Sequence, residues 1–356
     1  MKYTLTIPSV FAAALLTTPA VLAQAPSPDP ASPLKLDVSE PRSPNRFGLS
    51  YRMGFNVPVS FKHLGGYPAL SMPRYTPDGD LYNYDNGYAL VDSTGNAMGY
   101  TRYWGYDRAS QASGDTTVTM QRSSSLAKAS SNDHYDVPMS GFELTYNREL
   151  IHKKSWRGGL EGAFGYTYMS VHDAEKRSSS VTRVNDNYSL GGTEMPSAPY
   201  TGPKSTPGPV IVASPSRTTT EIEKGASITG HRDFSADLFG FRVGPYVDIP
   251  LSKSITLNLS GGFALVYVNS DFSYYETVTI AGVGSVEHQA SGSADDWLPG
   301  WYVAGNLSLA LSESWSVFAG AQFEDVGHYT HNLKGKQATL DLSRCIFVTV
   351  GVSYSF

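Results

Sequence analysis

Strict alternation of apolar and polar residues is the feature that most constrains how this chain can fold. From Phe47 to Val57 every second residue is apolar or aromatic, while the residues between them, Arg52 included, are polar or glycine. Successive side chains of a β-strand point to opposite faces, so this segment is predicted to be a strand with one apolar and one polar face. The pattern recurs in seven further segments, at residues 142–147, 156–168, 239–249, 255–267, 301–311, 315–324 and 340–356.

The connections between these eight strands alternate in length. Short polar turns join the strands of three close pairs, and the other connections are long or of medium length, at residues 62–135, 172–233, 272–297 and 327–338. Outer-membrane barrels have short turns on the periplasmic side and longer loops on the extracellular side. We therefore predict an all-β fold, a transmembrane antiparallel up-and-down β-barrel of about eight strands, with short periplasmic turns, long extracellular loops and both termini in the periplasm.

Two other arrangements fit part of the pattern. A weak strand pair, residues 101–106 with 117–120, would raise the number of membrane strands to ten. A soluble lipocalin-like barrel would turn its apolar face inward around a ligand, and it has no need of aromatic residues at both strand ends. Here two aromatic sets do lie near the strand ends, as membrane-interface girdles would. The predicted girdle residues are Phe47, Tyr146, Trp156, Trp315, Tyr354 and Phe356 at the short-turn end, and Tyr168, Tyr267 and Trp301 at the long-loop end.

The N-terminal segment is typical of a secretory signal peptide. Lys2 precedes a mostly apolar run that closes on the small-residue pattern Val21-Leu22-Ala23. The predicted organisation is a signal peptide at residues 1–23, a Pro/Ser-rich periplasmic linker at 24–45 and the barrel at 46–356, with long loops at 62–135 and 172–233. A single cysteine, Cys345, has no partner for a disulfide within the chain. The predicted location is the bacterial outer membrane.

The C-terminal strand carries a family resemblance. Residues Thr349-Val-Gly-Val-Ser-Tyr-Ser-Phe356 alternate and end on an aromatic residue, as the terminal strands of bacterial outer-membrane proteins do. With the strand layout, the chain resembles the small outer-membrane β-barrel superfamily of eight-stranded OmpA-like and OmpX-like proteins. The resemblance implies this fold, contact with outer-membrane lipids and recognition of the last strand by the barrel-assembly machinery. It implies no particular activity.

The surface composition bears on the partners. The net charge is -5 and no long run of Lys or Arg is present, so nucleic acid is not expected as a partner, because its binding depends on phosphate neutralisation. The segment Tyr82 to Tyr106 is rich in tyrosine and is predicted to fold over the barrel mouth or to bind an unknown extracellular ligand. No sequence pattern indicates a cofactor or a metal site.

Four charged residues are predicted to meet inside the barrel. Arg52, Glu143, Glu161 and Arg242 have the parity of the polar face and lie at similar heights on the first four strands. Because buried charges must pair, we expect an ionic network that closes the lumen. An eight-stranded barrel is about wide enough for its own side chains only. The favoured function is a structural or surface-interaction role through the extracellular loops, and the alternative is a narrow ion or solute channel gated by the same four residues.

An outer-membrane hydrolase is the less favoured possibility. It would need a histidine beside a hydroxyl or carboxyl group at the outer rim, and candidates in or next to the outer loops are His231, His288, His328 and His331. Their spacing to the neighbouring acidic residues matches no catalytic motif. We therefore assign no catalytic residue and predict that the protein is not an enzyme.

Overall fold

The computed structural model describes residues 44–77, 79–91, 98–131, 138–202 and 208–356. The predicted signal peptide and almost all of the predicted linker lie outside the described residues. One 3₁₀ helix, Ala109–Gln111, and 21 strands are described. The strands are β1 (Asn45–Phe55), β2 (Val59–Lys62), β3 (Arg74–Thr76), β4 (Gly79–Tyr84), β5 (Gly87–Val91), β6 (Tyr100–Thr101), β7 (Trp104–Tyr106), β8 (Ala112–Ser113), β9 (Thr117–Ser124), β10 (Met139–His152), β11 (Arg157–Asp173), β12 (Arg177–Ser189), β13 (Tyr200–Thr201), β14 (Ile211–Val212), β15 (Ser216–Pro250), β16 (Ile255–Ile280), β17 (Gly284–Ala310), β18 (Trp315–Asp325), β19 (His328–Leu333), β20 (Lys336–Asp341) and β21 (Cys345–Ser355).

Eight of these strands form a closed antiparallel barrel. The order around the barrel is β1, β10, β11, β15, β16, β17, β18 and β21, and β21 pairs with β1 to complete the ring. Neighbouring strands are joined at one end by the turns at 153–156, 251–254 and 311–314. The prediction of an eight-stranded up-and-down barrel is therefore confirmed.

The outer wall of the barrel is apolar over one belt. Along β16 the side chains of Ile255, Leu259 and Phe263 point outward and are exposed, while Thr256 and Asn258 point inward and are buried. The other barrel strands show the same division, with Val348, Val350 and Val352 exposed on β21. Exposed apolar residues on every strand are stable only against lipid, so the belt is the membrane-spanning part. No helix among the described residues is long and apolar enough to cross a membrane.

Three barrel strands continue far beyond this belt. β15 has 35 residues, β16 has 26 and β17 has 27, and β16 stays paired with β17 from Ile255 up to Ile280. At about 2.5 Å of height per residue in a tilted strand, β16 rises about 30 Å above Tyr267. The predicted connections at 172–233, 272–297 and 327–338 are largely paired strands, although no apolar alternation in the sequence marks them as such. The cause is that outward residues turn polar above the belt, which ends the apolar alternation although the backbone pairing continues.

The mouth of the barrel, meaning the lumen above the belt, holds a small sheet that we call the plug. It consists of β2, β19 and β20. Asn56 has a φ of +59°, a left-handed conformation that Asn tolerates, and it turns the chain inward after β1. Val57, predicted on the outward apolar face, is completely buried here. The last strand was also predicted too long, because Leu340 belongs to β20 and the barrel strand starts at Cys345.

The plug fills the mouth with apolar side chains. Phe61 of β2 and Leu340 of β20 are fully buried against Phe234, Val268 and Phe272 of the barrel wall. The rings of Phe61 and Phe272 stack with centroids 5.7 Å apart. Interiors packed in this way have few voids larger than a water molecule.

A second folded part, which we call the head, stands on the extended strands. It consists of β3 to β9, β12 to β14 and the first residues of β15. β9 pairs with β12, and β12 pairs with β15. Neither β6 nor β7 pairs with β9 and none of the three enters the barrel ring, so the alternative of ten membrane strands is wrong. In the predicted tyrosine-rich segment, Tyr84, Trp104 and Tyr106 are buried in the core of the head with Met120 and Tyr188.

Candidate functional site

The four predicted lumen residues lie together at mid-height of the barrel. Arg52 Nη1 donates to Glu143 Oε2 at 3.0 Å, and Arg242 Nη2 donates to Glu143 Oε1 at 2.6 Å. Arg242 Nη1 lies 3.7 Å from Glu161 Oε1. The predicted set lacks Glu324, whose Oε2 lies 3.6 Å from Arg52 Nη2. Glu324 has inward parity on β18, so the signal that would have identified it was present in the sequence.

The other charges of this network have further contacts besides these ion pairs. Glu161 accepts hydrogen bonds from Asn147 and Ser260, and Glu324 accepts one from Gln322. The two guanidinium groups lie over aromatic rings: Arg52 is 3.5 Å from the Phe347 centroid and Arg242 is 4.3 Å from the Tyr302 centroid. Unpaired charges here would cost several kcal/mol each, so the network holds its members in place.

A polar layer continues towards the short-turn end. Arg46 donates to Asp248 at 2.9 Å, and Asn258 donates to the other oxygen of Asp248 at 2.7 Å. Arg157 lies 3.9 Å from both Asp248 and Glu149. A cavity of about 40 Å³ lies between this layer and the mid-height network. That volume suits a few water molecules and is too small for a solute.

A second ionic network, which sequence reasoning missed, ties the plug to the barrel wall. Arg232 is completely buried; its Nε donates to Glu276 Oε1 at 2.8 Å and its Nη1 to Asp173 Oδ2 at 3.3 Å. Lys336 of β20 donates to Gly65 O at 2.6 Å and lies 2.6 Å from Glu276 Oε2. These residues lie in segments predicted as loops, where no strand parity could be assigned. The network joins β11, β15, β16 and the plug above the membrane.

A third polar cluster lies inside the head and ties its strands to one another. Tyr84 Oη donates to Asp186 Oδ2 at 2.7 Å and lies 2.8 Å from Tyr188 Oη. Arg217 of β15 binds both oxygens of Asp186, at 2.7 and 2.8 Å. Burial alone would raise the pKa of Asp186, but the hydrogen bonds from Arg217 and Tyr84 bring it below the usual carboxyl value. Burial raises the pKa of Tyr188 to about 12. The cluster joins β4, β12 and β15.

The candidate catalytic histidines lie in separate places. His331 is buried in the plug, its Nδ1 is 2.9 Å from Ser270 Oγ, and burial lowers its pKa. His328 Nε2 lies 3.3 Å from Asp341, and His288 Nε2 lies 2.7 Å from Gly66 O. His231 Nε2 lies 3.9 Å from Asp233 Oδ2 on the outer wall. Within the described residues no imidazole joins a hydroxyl to a carboxylate, and no group of three or more His, Cys, Asp or Glu residues could hold a metal.

The predicted girdle residues lie on the outer wall in two bands. Near the short turns Tyr146, Phe47, Tyr354 and Trp315 are cross-strand neighbours in one row over β10, β1, β21 and β18. The rings of Trp315 and Tyr354 are 5.0 Å apart. Phe356 stacks on Tyr354, and Trp156 lies at the 153–156 turn.

The upper band is also continuous from strand to strand. Tyr166, Phe239, Tyr267 and Trp297 form a second cross-strand row, with Tyr267 and Trp297 4.9 Å apart. The remaining predicted girdle residues of this end, Tyr168 and Trp301, are exposed two residues from Tyr166 on β11 and four residues from Trp297 on β17. Tyr166, Phe239 and Trp297 complete the row that the prediction named only in part.

A closed eight-stranded barrel with an outward apolar belt and a filled lumen defines this chain as a small outer-membrane β-barrel protein. No family model matches the sequence, and no curated protein matches it. Solved structures to which the chain is similar include Ail, the attachment invasion locus protein of Yersinia pestis, with a TM-score of 0.28 and 9% identity over 88% of this chain and 99% of that chain. The outer membrane protease OmpT from Escherichia coli has a TM-score of 0.30 and 9% identity over 89% of this chain and 99% of that chain. At these TM-scores the similarities add nothing to what the strand pairing already defines.

Proposed function

We propose that this protein is a surface-interaction barrel, which holds a folded extracellular head for contact with an external partner and does not conduct solutes. The observation that carries the proposal is the contrast between lumen and head. The lumen is filled at mid-height by the Arg52, Glu143 and Arg242 pairs and above them by the plug. Three strands nevertheless continue about 30 Å beyond the membrane belt, a length that a structural barrel alone does not require.

The filled lumen argues against the channel alternative. A gate that exchanges ion pairs at mid-height would still lead into the apolar plug, where Phe61 and Leu340 are fully buried. An ion that crosses an apolar layer of this kind must give up its hydration shell at a large free-energy cost. The cavity beneath it has a volume of only about 40 Å³ and is lined by Glu143 and Arg242 of the mid-height network.

The head is suited to binding because its framework is rigid. Binding residues are commonly held on segments that a rigid scaffold positions. Here the Tyr84–Asp186–Arg217 cluster and the buried Trp104 hold the strands of the head together. The proposal places both termini in the periplasm and the head outside the cell, after export by the predicted signal peptide and insertion by the barrel-assembly machinery. No catalytic role is part of it.

The head can be removed at two natural closing points. Tyr67 and Ser125 bridge each other, so residues 68–124 can be replaced by a tight turn, and Ser179 pairs with Ala226, so residues 180–225 can be replaced likewise. The double truncation keeps the barrel, the plug and the hydrogen bond between the hydroxyl groups of Ser125 and Ser179. We expect the truncated protein to fold in lipid, which heat-modifiable gel migration would test. Cells that express it are expected to lose their attachment to other cells or to matrix proteins.

Measurement of ion conductance tests the channel alternative on the same two proteins. The intact protein in planar bilayers is expected to give no ion current, and the truncated protein is expected to stay silent because the plug remains. Attachment that persists in the folded truncated protein contradicts a head-borne function. Stepwise currents from the intact protein would favour the channel instead.

A further inference from the structure

One arginine lies on the lipid-facing wall near the short-turn end of the barrel. Arg148 of β10 has the outward parity of that strand and is exposed. Its outward neighbours along β10 are Tyr146 and Leu150, and across the strands it is paired with Leu160 of β11 and Asn45 of β1. Three of these four neighbours are exposed apolar or aromatic side chains of the outer wall. Arg148 is therefore surrounded by surface that contacts lipid.

The wall stays apolar on the turn side of Arg148 as well. The register between β10 and β11 shifts between Glu149 and Ile151, so Leu150 is an extra residue on β10. A bulge of this kind changes the direction of side chains, and here Leu150 and Ile151 are both exposed. Trp156 follows in the turn between the two strands. Because apolar side chains lie on both sides of Arg148 along its strand, the arginine leaves the wall within the lipid-facing surface.

Arg148 has no partner among the residues that the structure describes. It makes no hydrogen bond or ion pair there, and the adjacent carboxylate of Glu149 is taken by His152 at 2.8 Å and lies 3.9 Å from Arg157. A guanidinium group is always charged, and a charge on a lipid-facing wall costs free energy that increases with depth. The long arginine side chain lowers this cost by bending towards the interface, where lipid headgroups lie.

The neighbouring turns add further positive charge at this end. Lys153 and Lys154 lie in the turn between β10 and β11, and Lys253 lies in the turn between β15 and β16. These two turns are neighbours in the ring, because β11 pairs with β15. The third short turn, between β17 and β18, carries Glu313 and neither Lys nor Arg. The short-turn end is therefore positively charged on one side, the side on which Arg148 lies.

We propose that Arg148, together with Lys153 and Lys154, binds the phosphate group of an anionic phospholipid in the leaflet at the short-turn end. A guanidinium group donates two parallel hydrogen bonds to phosphate oxygens, which fixes the headgroup beside the wall. The lysine ammonium groups favour a lipid with net negative charge over a zwitterionic one. The exposed side chains of Leu150 and Leu160 lie next to Arg148 and contact the acyl chains of the same lipid.

The position of Arg148 selects lipid, and not soluble phosphate, as the source of the anion. A lipid phosphate reaches Arg148 while its acyl chains remain in the bilayer, whereas a soluble phosphate would have to give up water beside an apolar wall. In the orientation proposed above, the leaflet is the periplasmic one. The site lies at the opposite end of the barrel from the head, so the inference goes beyond the proposed function and does not depend on attachment by the head.

Trp156 provides a local reporter for the test. The full protein is placed in phosphatidylcholine vesicles that contain a small fraction of brominated lipid, either phosphatidylglycerol or phosphatidylcholine with the same acyl chains. The Trp156→Phe variant gives the fluorescence of the other tryptophans, and subtraction leaves the quenching of Trp156. We expect brominated phosphatidylglycerol to associate at this position at least about fivefold more strongly than brominated phosphatidylcholine.

Substitutions at Arg148 test whether this side chain carries the preference. Arg148→Gln, which removes the charge, is expected to reduce the preference to about twofold or less. Arg148→Lys keeps the charge without the paired hydrogen bonds and should give an intermediate preference. Arg344→Gln is the matched control, because Arg344 is an exposed arginine at the opposite end of the wall and should leave the Trp156 signal unchanged. All variants are first checked for heat-modifiable migration, so that a misfolded variant is excluded.

Each contrary result points to a different error. A preference for phosphatidylglycerol that persists in folded Arg148→Gln overturns the proposal. An equal loss in Arg344→Gln overturns it in favour of the general charge of the protein surface. Inorganic phosphate is compared with sodium chloride at the same ionic strength, which separates competition for the site from screening. Phosphate that abolishes the preference where chloride does not overturns the lipid assignment in favour of a soluble anion.

Discussion

Lys336 Nζ lies 2.6 Å from Glu276 Oε2, and this pair joins the plug to the wall of the barrel extension. Glu276 also binds Arg232 and the backbone N–H of Gly65, so one buried carboxylate holds three partners from three parts of the chain. The plug therefore depends on a polar contact as well as on apolar packing.

Glu276→Ala should destabilise the protein by about 3 to 5 kcal/mol, because it leaves Arg232 and Lys336 buried without their shared acceptor. The measurement is urea unfolding in lipid vesicles followed by gel migration. Glu287→Ala on the exposed outer face is the control and should change stability by less than about 0.5 kcal/mol. Equal stability of the two variants would show that the plug does not need the ionic contact.

Glu143→Ala should cost a similar amount, about 3 to 5 kcal/mol, because Arg52 and Arg242 then face each other without the carboxylate between them. The same variant should remain electrically silent in planar bilayers, since the plug above it is intact. Glu143→Gln tests charge against shape and should fall between the wild type and Glu143→Ala. Currents that arise on neutralising Glu143 would show that the mid-height network, and not the plug, seals the lumen.

Val350→Arg should destabilise the inserted barrel by about 2 to 4 kcal/mol, because residue 350 points outward about 10 Å above Tyr354, near the middle of the apolar belt. Val350→Ala, which keeps the position apolar, is the control and should cost much less. Reversible unfolding in lipid compares the two. If arginine is tolerated as well as alanine, this face does not contact lipid.

Acid should loosen the head before the barrel. The pKa of Asp186 is depressed in the folded state, so its stabilisation is present above the ordinary carboxyl range and is lost as the pH falls through the depressed value. Limited proteolysis of the head between about pH 5 and pH 2, with an acid-active protease, should therefore show increasing cleavage. Asp186→Asn lacks this titration and should be cleaved at a level that depends much less on pH. A wild-type head whose resistance does not change over that range would contradict the role of the Asp186 carboxylate.

The barrel could be predicted from sequence because lipid imposes a simple condition on each strand. Outward residues such as Phe263 and Val350 must be apolar, and this condition produces the alternation from which the eight strands were found. Above the membrane the condition reverses: outward Asp271 is polar, while inward Phe272 and Tyr274 are buried against the plug. On β16 the apolar residues stand at odd positions within the belt and at even positions above it. A strand recognised only by apolar residues at odd positions is therefore cut short where this change occurs.

The charged residues of the lumen could be predicted only within the strands that the sequence pattern identified. Arg52, Glu143, Glu161 and Arg242 have inward parity within recognised strands, and they do lie together. Glu324 had the same parity and was omitted. Arg232, Glu276 and Lys336 could not be placed, because their positions depend on strands that lie outside the bilayer and on a plug that enters through the left-handed turn at Asn56. Which residues of the head are buried follows from packing between distant segments, and neither spacing nor composition specifies that.

The unbroken length of β15 and β16 also has a mechanical consequence. Both strands run from the short turns of the barrel to the base of the head without interruption, and their hydrogen bonds lie perpendicular to the strand direction. A pull on the head along the strands therefore loads many of these bonds at once, in shear, instead of opening them one after another. Tension on the head is carried directly into the membrane-embedded wall, with no flexible joint between the two.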